Sequence, residues 1–228
     1  MTGCGEAIDN FLNDRLDGDG AYILGKVRGI AFNLPVRNAS VELLSEQNDP
    51  LPNTFSDAGG EFVISDLPKN SQQRVLLRSG GYWPLVGMIN TQRSVDGDPI
   101  WTPALMDNFV VDLQAKKVDD QVRPGTGMVY MEFQERQGEQ WQGAPGRQIP
   151  KGSLGEPYYF NSSNWLDKNQ HSTADQGSAI FVNVQPGWYT LAVPQGCLPF
   201  WGFDLDGSGM LPAFVQEGAV TELSLRCE

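Results

Sequence analysis

Apolar residues along most of this chain occur in short runs that alternate with turn-forming residues. From Tyr22 onward the runs are rich in β-branched and aromatic residues, and Gly, Pro, Asn and Asp separate them. This pattern is typical of β-strands joined by tight turns. It predicts strands at residues 22–32, 39–45, 61–65, 74–79, 83–90, 108–113, 127–134, 157–161, 178–184, 188–193 and 220–226.

The first twenty residues differ from the rest. Ile8, Phe11, Leu12 and Leu16 are spaced close to a helical period, and Asp-Gly-Asp-Gly at 17–20 ends the pattern. The sequence therefore predicts a short N-terminal helix or tether over residues 1–20. We find no other convincing helical period.

A polar segment at 115–126 separates two series of strands. We therefore expect a first domain over residues 21–114, a linker over 115–126 and a second domain over 127–228. Short strands without helices between them favour sandwiches over a parallel sheet. The expected fold class is all-β, with two tandem Greek-key β-sandwiches of the prealbumin-like or Ig-like type. Residues 137–156, rich in Gly and Gln, are expected to form a surface loop.

An internal repeat supports two related domains. Residues 56–67 align without gaps to residues 173–184, at a constant offset of 117 (173 − 56). Each copy reads as a polar turn, a glycine, an apolar strand and a second turn. Gly60 and Gly177 occupy the same place in the two copies.

The motifs of the first domain follow a recognisable order. Gly-Lys-Val-Arg-Gly at 25–29 is followed by Ala-Ser-Val-Glu-Leu at 39–43, by the glycine turn and strand at 56–68, and by Gly-Tyr-Trp-Pro at 81–84. Over about residues 21–113 this order resembles the carboxypeptidase regulatory-like domain, a transthyretin-like (prealbumin-like) β-sandwich. The second domain resembles a divergent copy, without a match at 137–172. The resemblance implies a noncatalytic accessory or structural role and transfers no site residues.

The charge balance excludes one class of partner. The chain has 28 acidic and 16 basic residues, a formal net charge of −12. Such a surface repels phosphate backbones, so we expect no nucleic-acid partner. No apolar run approaches the length of a membrane span.

The cysteines favour an exported protein. Cys197 follows a predicted strand and Cys227 ends the last one, so we expect a disulfide, with two separate buried thiols as the alternative.

Thr-Gly before Cys4 resembles the end of a bacterial lipoprotein signal, which makes Cys4 a candidate for lipidation and membrane anchoring. A chance match is the alternative, because no apolar segment precedes it. We expect a cell-envelope protein, either anchored at the outer membrane or on the extracellular surface of a bacterium.

Two sets of residues are candidates for ligand contacts. Asp204, Asp206 and Ser208 resemble the start of a Ca²⁺ loop, but the twelfth position is Val215, so an acidic β-turn is the alternative. No other cofactor is expected. Trp141 and Trp165 lie in predicted loops and are candidates for a glycan-contacting surface, as is Tyr-Tyr-Phe at 158–160. Burial in a core or a domain interface is the alternative for the tryptophans.

Catalysis is not expected. The chain has one histidine, His171, in a polar segment without a nucleophile motif. We therefore expect a noncatalytic surface (lipo)protein that acts as a structural, adhesive or assembly subunit with other envelope proteins. A carbohydrate- or ligand-binding accessory module is the alternative. A hydrolase that uses paired carboxylates is a more distant one.

Overall fold

A computed structural model describes residues 21–45, 47, 50–69, 71–91, 101–118, 120–137, 140–150, 152–200, 205–206 and 208–228. The N-terminal helix expected within residues 1–20 lies outside these residues. The described part of the chain forms strands β1 (Ala21–Lys26), β2 (Arg28–Gly29), β3 (Ser40–Leu44), β4 (Pro50–Phe55), β5 (Glu61–Leu67), β6 (Gln72–Arg78), β7 (Leu85–Asn90), β8 (Ala104–Leu105), β9 (Gly127–Gln137), β10 (Gln140–Gly143), β11 (Tyr158–Phe160), β12 (Leu166–Asp167), β13 (Ser178–Val184), β14 (Gly187–Ala192), β15 (Cys197–Pro199), β16 (Met210–Val215) and β17 (Val220–Cys227), and helix α1 (Asn108–Lys117).

Most strands belong to one large mixed sheet. Its order is β12-β11-β13-β9-β17-β7-β6-β3-β4, with β10 added to β9 and β15 added to β17. Three small sheets, β1–β5, β14–β16 and β2–β8, complete the fold. The prediction of an all-β sandwich fold is confirmed.

The last strand joins the two series of strands. β17 pairs in parallel with β9 along its whole length, from Val220 to Cys227, and its first three residues also pair in parallel with β7. Because β7 precedes residues 115–126 and β9 follows them, the large sheet contains strands from both sides of the expected linker. The division into two domains stays a prediction, and any boundary there divides a shared sheet.

One side of the large sheet faces a core built from both series of strands. Alternate residues of a strand point to opposite sides, which places Leu225 of β17, Phe133 of β9 and Met88 of β7 on the same side. They pack together with Leu211 of β16. The β14–β16 sheet covers this side and contacts β7, β9 and β17. Burial of these side chains therefore holds the two series of strands together.

The opposite side carries two smaller apolar clusters. One includes Ile23 of β1 and Trp101 and lies under the β1–β5 sheet. The other includes Val111 of α1, Met128 of β9 and Ile180 of β13, and lies under the helix. Polar residues of β9 and β17 lie on this side too, and they include a pair of carboxyl groups described below.

Residues 108–113 correct a sequence prediction. The run Phe-Val-Val favours a strand, but these residues form the first part of α1. Val111 and Ala115, four residues apart, are the buried positions of the helix, whereas Phe109 is exposed. Packing of this single stripe on the sheet overrides the local preference of β-branched residues. Lys116 and Lys117 in the last turn favour the helix C-terminus electrostatically.

Six strands of the described residues lie outside the predicted ranges: β4, β8, β10, β12, β15 and β16. For two of them the local reason is clear. β4 contains Pro50 and Pro52, which argue against a strand, but it lies at the end of the sheet order, where proline is tolerated. β10 lies inside the expected loop at 137–156 and pairs with the end of β9. The predicted strand at 22–32 ends earlier, at Gly29, and residues 30–32 form a turn.

The first copy of the repeat is a turn held by a buried hydroxyl. Ser56 Oγ donates to the carbonyl of Val36 (2.7 Å) and accepts from the N–H of Ala39 (2.9 Å). Gly60 has a φ of 78° and its carbonyl accepts from the N–H of Val27 (2.8 Å). A Cβ on Gly60 would lie 2.4 Å from the Val27 carbonyl oxygen, so only glycine fits. We call residues 56–60 the first turn.

The second copy repeats this arrangement. Thr173 Oγ1 donates to the carbonyl of Ala144 (2.6 Å) and accepts from the N–H of Arg147 (2.9 Å). Gly177 has a φ of 62° and its carbonyl accepts from the N–H of Phe133 (2.7 Å). A Cβ there would lie 2.1 Å from the Phe133 carbonyl oxygen. Residues 173–177, the second turn, therefore repeat the hydroxyl and glycine hydrogen bonds of the first turn. They lack the two that Asp57 Oδ1 accepts from the N–H groups of Gly59 and Glu61, because Ala174 stands in its place.

Candidate interaction surface

The predicted disulfide is confirmed. Cys197 of β15 and Cys227 of β17 are bonded, their Cα atoms are 4.0 Å apart, and both residues are buried. The two strands are antiparallel neighbours, so the bond fixes the end of β17 to its own half of the chain. A bond that closes a loop of this length contributes about 3–4 kcal/mol to stability.

Several predicted site positions lie outside the described residues. These are Cys4, Asp204 and the side chain of Trp141, whose backbone belongs to β10. Lipidation at Cys4 and a glycan contact at Trp141 therefore stay predictions.

Asp206 and Ser208 form a turn stabilised by the aspartate. Asp206 Oδ1 accepts hydrogen bonds from Ser208 Oγ (2.6 Å), Ser208 N (2.8 Å) and Met210 N (2.9 Å). The Ser208 hydroxyl, followed by the Met210 N–H, lowers the pKa of this exposed carboxyl. The geometry is that of an acidic turn. Within the described residues, no group of three or more acidic, His or Cys side chains could hold a metal ion, and the Ca²⁺ loop stays a prediction.

Trp165 lies in the turn between β11 and β12 and is half-buried. Its carbonyl accepts from the N–H of Asn161 (2.9 Å), and its own N–H donates to Asn161 Oδ1 (3.2 Å). Lys117, in the last turn of α1, places its Nζ 5.1 Å from the centroid of the Trp165 ring. This cation–π contact engages one face of the ring and ties the helix to the turn. A glycan contact at Trp165 stays a prediction.

His171 is exposed and lines a wide cavity of about 670 Å³. The same cavity is lined by Tyr158, Glu156, Asp167 and Lys168. An aromatic side chain together with carboxylates and an amine suits a polar ligand better than an apolar one.

Sequence reasoning missed a pair of carboxyl groups on the polar side of the large sheet. Glu222 of β17 pairs in register with Tyr130 of β9, and Glu132 lies two residues further along β9. Burial, reinforced by the neighbouring Glu132 carboxylate, raises the pKa of Glu222 to about 8. Hydrogen bonds from the Ala104 backbone and the Trp101 indole oppose this shift. Burial also raises the pKa of Glu132.

Trp101 covers this pair from above the sheet. Its ring lies over Gly87 of β7, where a Cβ would come within 2.1 Å of a ring carbon. Gly87 is also the register partner of Glu222, so the indole reaches the carboxyl. The second carboxyl oxygen of Glu222, Oε2, is buried without a hydrogen-bond partner. Neither Glu132 nor Glu222 lines the wide cavity or the apolar cavity described next.

An apolar cavity of about 110 Å³ lies between α1 and the large sheet. Ala31, from the turn after β2, and Val110, from the first turn of α1, both line it. Phe32, which follows Ala31, and Phe109, which precedes Val110, are strongly exposed (75 % and 62 %), and so is Leu34, three residues after Ala31 (62 %). We call these three side chains the apolar patch. Exposed aromatic groups of this size are characteristic of interaction surfaces.

No protein-family model and no curated protein matches this chain. Among solved structures, the TIE protein of Bacillus anthracis aligns with 92 % of this chain at 13 % identity and a TM-score of 0.31, and this chain spans 34 % of its length. The shaft pilin SpaA of Lactobacillus rhamnosus GG aligns over 92 % of this chain and 98 % of its own at 9 % identity, with a TM-score of 0.27. A streptococcal ancillary pilin aligns over 93 % and 63 % at 11 % identity, with a TM-score of 0.29. Similarity at these scores carries no conclusion about what this chain does.

The helix of the described residues, α1, has ten residues and is too short and too polar to cross a bilayer.

Proposed function

We propose that this chain is a noncatalytic structural or assembly subunit that works outside the bacterial cytoplasm, at the cell surface. The observation that carries the proposal is the apolar patch of Phe32, Leu34 and Phe109. Large exposed apolar side chains are costly in water and become favourable when a protein partner covers them. The partner is another envelope protein.

The pairing of β17 with strands from both series supports a structural role. β17 forms parallel ladders with β7 and β9 at once, and the disulfide holds its last residues. On the side of the large sheet that the β14–β16 sheet covers, the guanidinium carbon of Arg74 (β6) lies 4.8 Å from the ring centroid of Phe214. It lies 5.3 Å from the ring centroid of Trp188. This contact links β6 with the β14–β16 sheet. A subunit built this way transmits force between its ends without hinging at residues 115–126.

The disulfide supports export, because such bonds persist in oxidising compartments and are rare in the cytoplasm. Within the proposal, Cys4 is the lipidated residue and anchors the chain at the outer membrane, with residues 1–20 as a tether. The chain then consists of two copies of one prealbumin-like sandwich, each carrying one of the two matching turns.

The proposal is tested on cells that express the full-length gene. A membrane-impermeant biotin reagent labels surface proteins, and a short chemical crosslinking step captures assemblies. We expect the chain to be labelled and to appear in crosslinked species above its own mass. The double variant Phe32→Ser, Phe109→Ser should lose most of these species.

The matched control is Leu198→Ser, which removes another exposed apolar side chain, 47 % exposed and located on β15. It should retain the assemblies. Labelling only after cell lysis would contradict the surface location. Crosslinked species that survive equally in the double variant and in the control would contradict the role of the apolar patch.

The alternative, a carbohydrate- or ligand-binding accessory module, is favoured by one observation, the wide cavity beside Tyr158 and His171. A glycan array with purified protein separates the two functions. Binding that is lost in Tyr158→Ala and retained in the double patch variant would favour the alternative. A blank array with intact assemblies would favour the structural role.

A further inference from the structure

The cavity beneath α1 is enclosed mainly by apolar side chains. Met128 of β9 and Ile180 of β13 form its floor, and Val111 and Ala115 of α1 form its roof. All four residues are buried. Phe160 of β11 closes one side. α1 therefore covers this cavity without filling it.

Two polar side chains that line this cavity, Gln114 and Tyr130, already have partners in the protein. Gln114 Nε2 donates to the carbonyl of Asn164 (2.9 Å), and Gln114 Oε1 accepts from the N–H of Leu166 (2.8 Å). The Tyr130 hydroxyl is hydrogen-bonded to Ser178 Oγ (2.9 Å). A buried water needs two to four polar partners, and these groups have little capacity left to offer it. The cavity therefore disfavours water and favours an apolar occupant.

We propose that this cavity is a binding site for a small apolar molecule about the size of one aromatic ring. A cavity of about 110 Å³ is somewhat smaller than an apolar cavity of about 150 Å³ that stays dry and takes up benzene or xenon. A ring in this space contacts methyl and methylene groups on both sides, and its face can meet the edge of Phe160. The inference does not depend on the proposed function.

The helix provides a route into the cavity. α1 is attached to the rest of the fold by the buried side chains of Val111 and Ala115, by the two hydrogen bonds of Gln114 and by the Lys117–Trp165 contact. At its first residue, the Asn108 N–H donates to the carbonyl of Gly81 (3.0 Å). An element held by so few contacts opens at a lower free energy than the central strands. Ala31 and Asn164 are exposed and mark the mouth of the cavity.

The experiment titrates benzene into the full chain and follows the methyl signals of Met128 and Ile180 by NMR. We expect saturable shifts of these signals and a thermal midpoint that rises with the logarithm of benzene concentration. Ala115→Leu fills the cavity from the roof and should weaken binding at least tenfold. The matched control, Lys116→Leu, adds a leucine on the exposed side of the same helix and should bind within about twofold of the wild type.

A size series on the unmodified protein needs no variant. Naphthalene, which has two rings, should bind at least tenfold more weakly than benzene because it exceeds the cavity. If Ala115→Leu does not fold, Val182→Phe fills the cavity from the sheet. The proposal is overturned if the methyl signals do not shift, if the filled variant binds as well as the control, or if both ligands bind equally.

Discussion

The first turn and the second turn share the hydrogen bonds of their hydroxyl and glycine residues, yet the strand pairs beside them differ in charge. Beside the first turn, Lys26 of β1 pairs in register with Glu61 of β5, and the two side chains form a half-buried ion pair at 2.8 Å. Beside the second turn, Ser178 occupies the place of Glu61 (61 + 117 = 178), and its register partner is the half-buried Glu132.

The cause of this difference is the neighbouring strand. In the described residues, β1 pairs with β5 and, on its other edge, forms only a single bridge, between Gly25 and Trp101. The side chains of Lys26 and Glu61 keep access to water. β9 is flanked by β13 and by β17, and β17 brings Glu222 beside Glu132. Two acids then share one buried site, where burial favours the neutral form. The geometry of each turn thus depends on neighbouring residues alone. The protonation of side chains beside the turn depends on which further strand pairs with the same sheet.

The largest effect should come from the glycines of the two turns. Gly60→Ala and Gly177→Ala each force a Cβ against a backbone carbonyl at a positive φ. We expect each to lower the free energy of unfolding by about 3 kcal/mol. Urea unfolding of purified protein measures this loss.

The control for this pair is Gly146→Ala, where φ is 73° but no atom lies within 4 Å of the added Cβ. It should lose only about 1 kcal/mol, from the backbone conformation alone. The equivalence of the two turns is broken if one of Gly60→Ala and Gly177→Ala behaves like this control.

The buried hydroxyls should have the next largest effect. Ser56→Ala and Thr173→Val each leave a backbone N–H and a carbonyl without a partner. We expect a loss of about 1–3 kcal/mol for each, and similar values for the two. Ser65→Ala removes a hydroxyl that bonds Asp66 at the surface and should change stability by less than about 0.5 kcal/mol. Unequal losses at Ser56 and Thr173 would show that the two turns contribute differently.

The carboxyl pair should show its effect in the pH dependence of stability rather than at one fixed pH. The pKa of Glu222 is raised from 4.5 to about 8, so between these values the folded protein holds a proton that the unfolded chain has released. The stabilisation is fully present below about pH 4.5 and is lost as the pH rises towards 8, by at most about 1.4 kcal/mol per pH unit. Unfolding measured from pH 5 to pH 8 should show this fall, and Glu222→Gln should remove most of it.

The ion pair beside the first turn provides the comparison. Lys26→Gln removes a half-buried pair and should lower stability by about 0.2–1 kcal/mol. It should leave the pH dependence between 5 and 8 in place. If Glu222→Gln keeps the full pH dependence, the titration belongs to another group and the contrast between the two strand pairs fails.

The sequence alone determined the features that depend on short stretches of chain. Period-two runs and turn residues predict the all-β class, and the spacing of Gly60 and Gly177 predicts two like turns, because a positive φ and a close backbone approach are local demands. The bond between Cys197 and Cys227 could also be predicted, since Cys197 follows one predicted strand and Cys227 ends the last one.

Tertiary structure decided the rest. Residues 108–113 became helical because Val111 and Ala115 pack on the sheet, a contact that no local pattern encodes. Glu132 and Glu222 occupy alternating positions that the sequence assigns to solvent, and only the insertion of β17 between β7 and β9 buries them together. The apolar patch and the α1 cavity escaped prediction for the same reason: exposure and empty volume are set by which elements meet, and these elements are far apart in sequence.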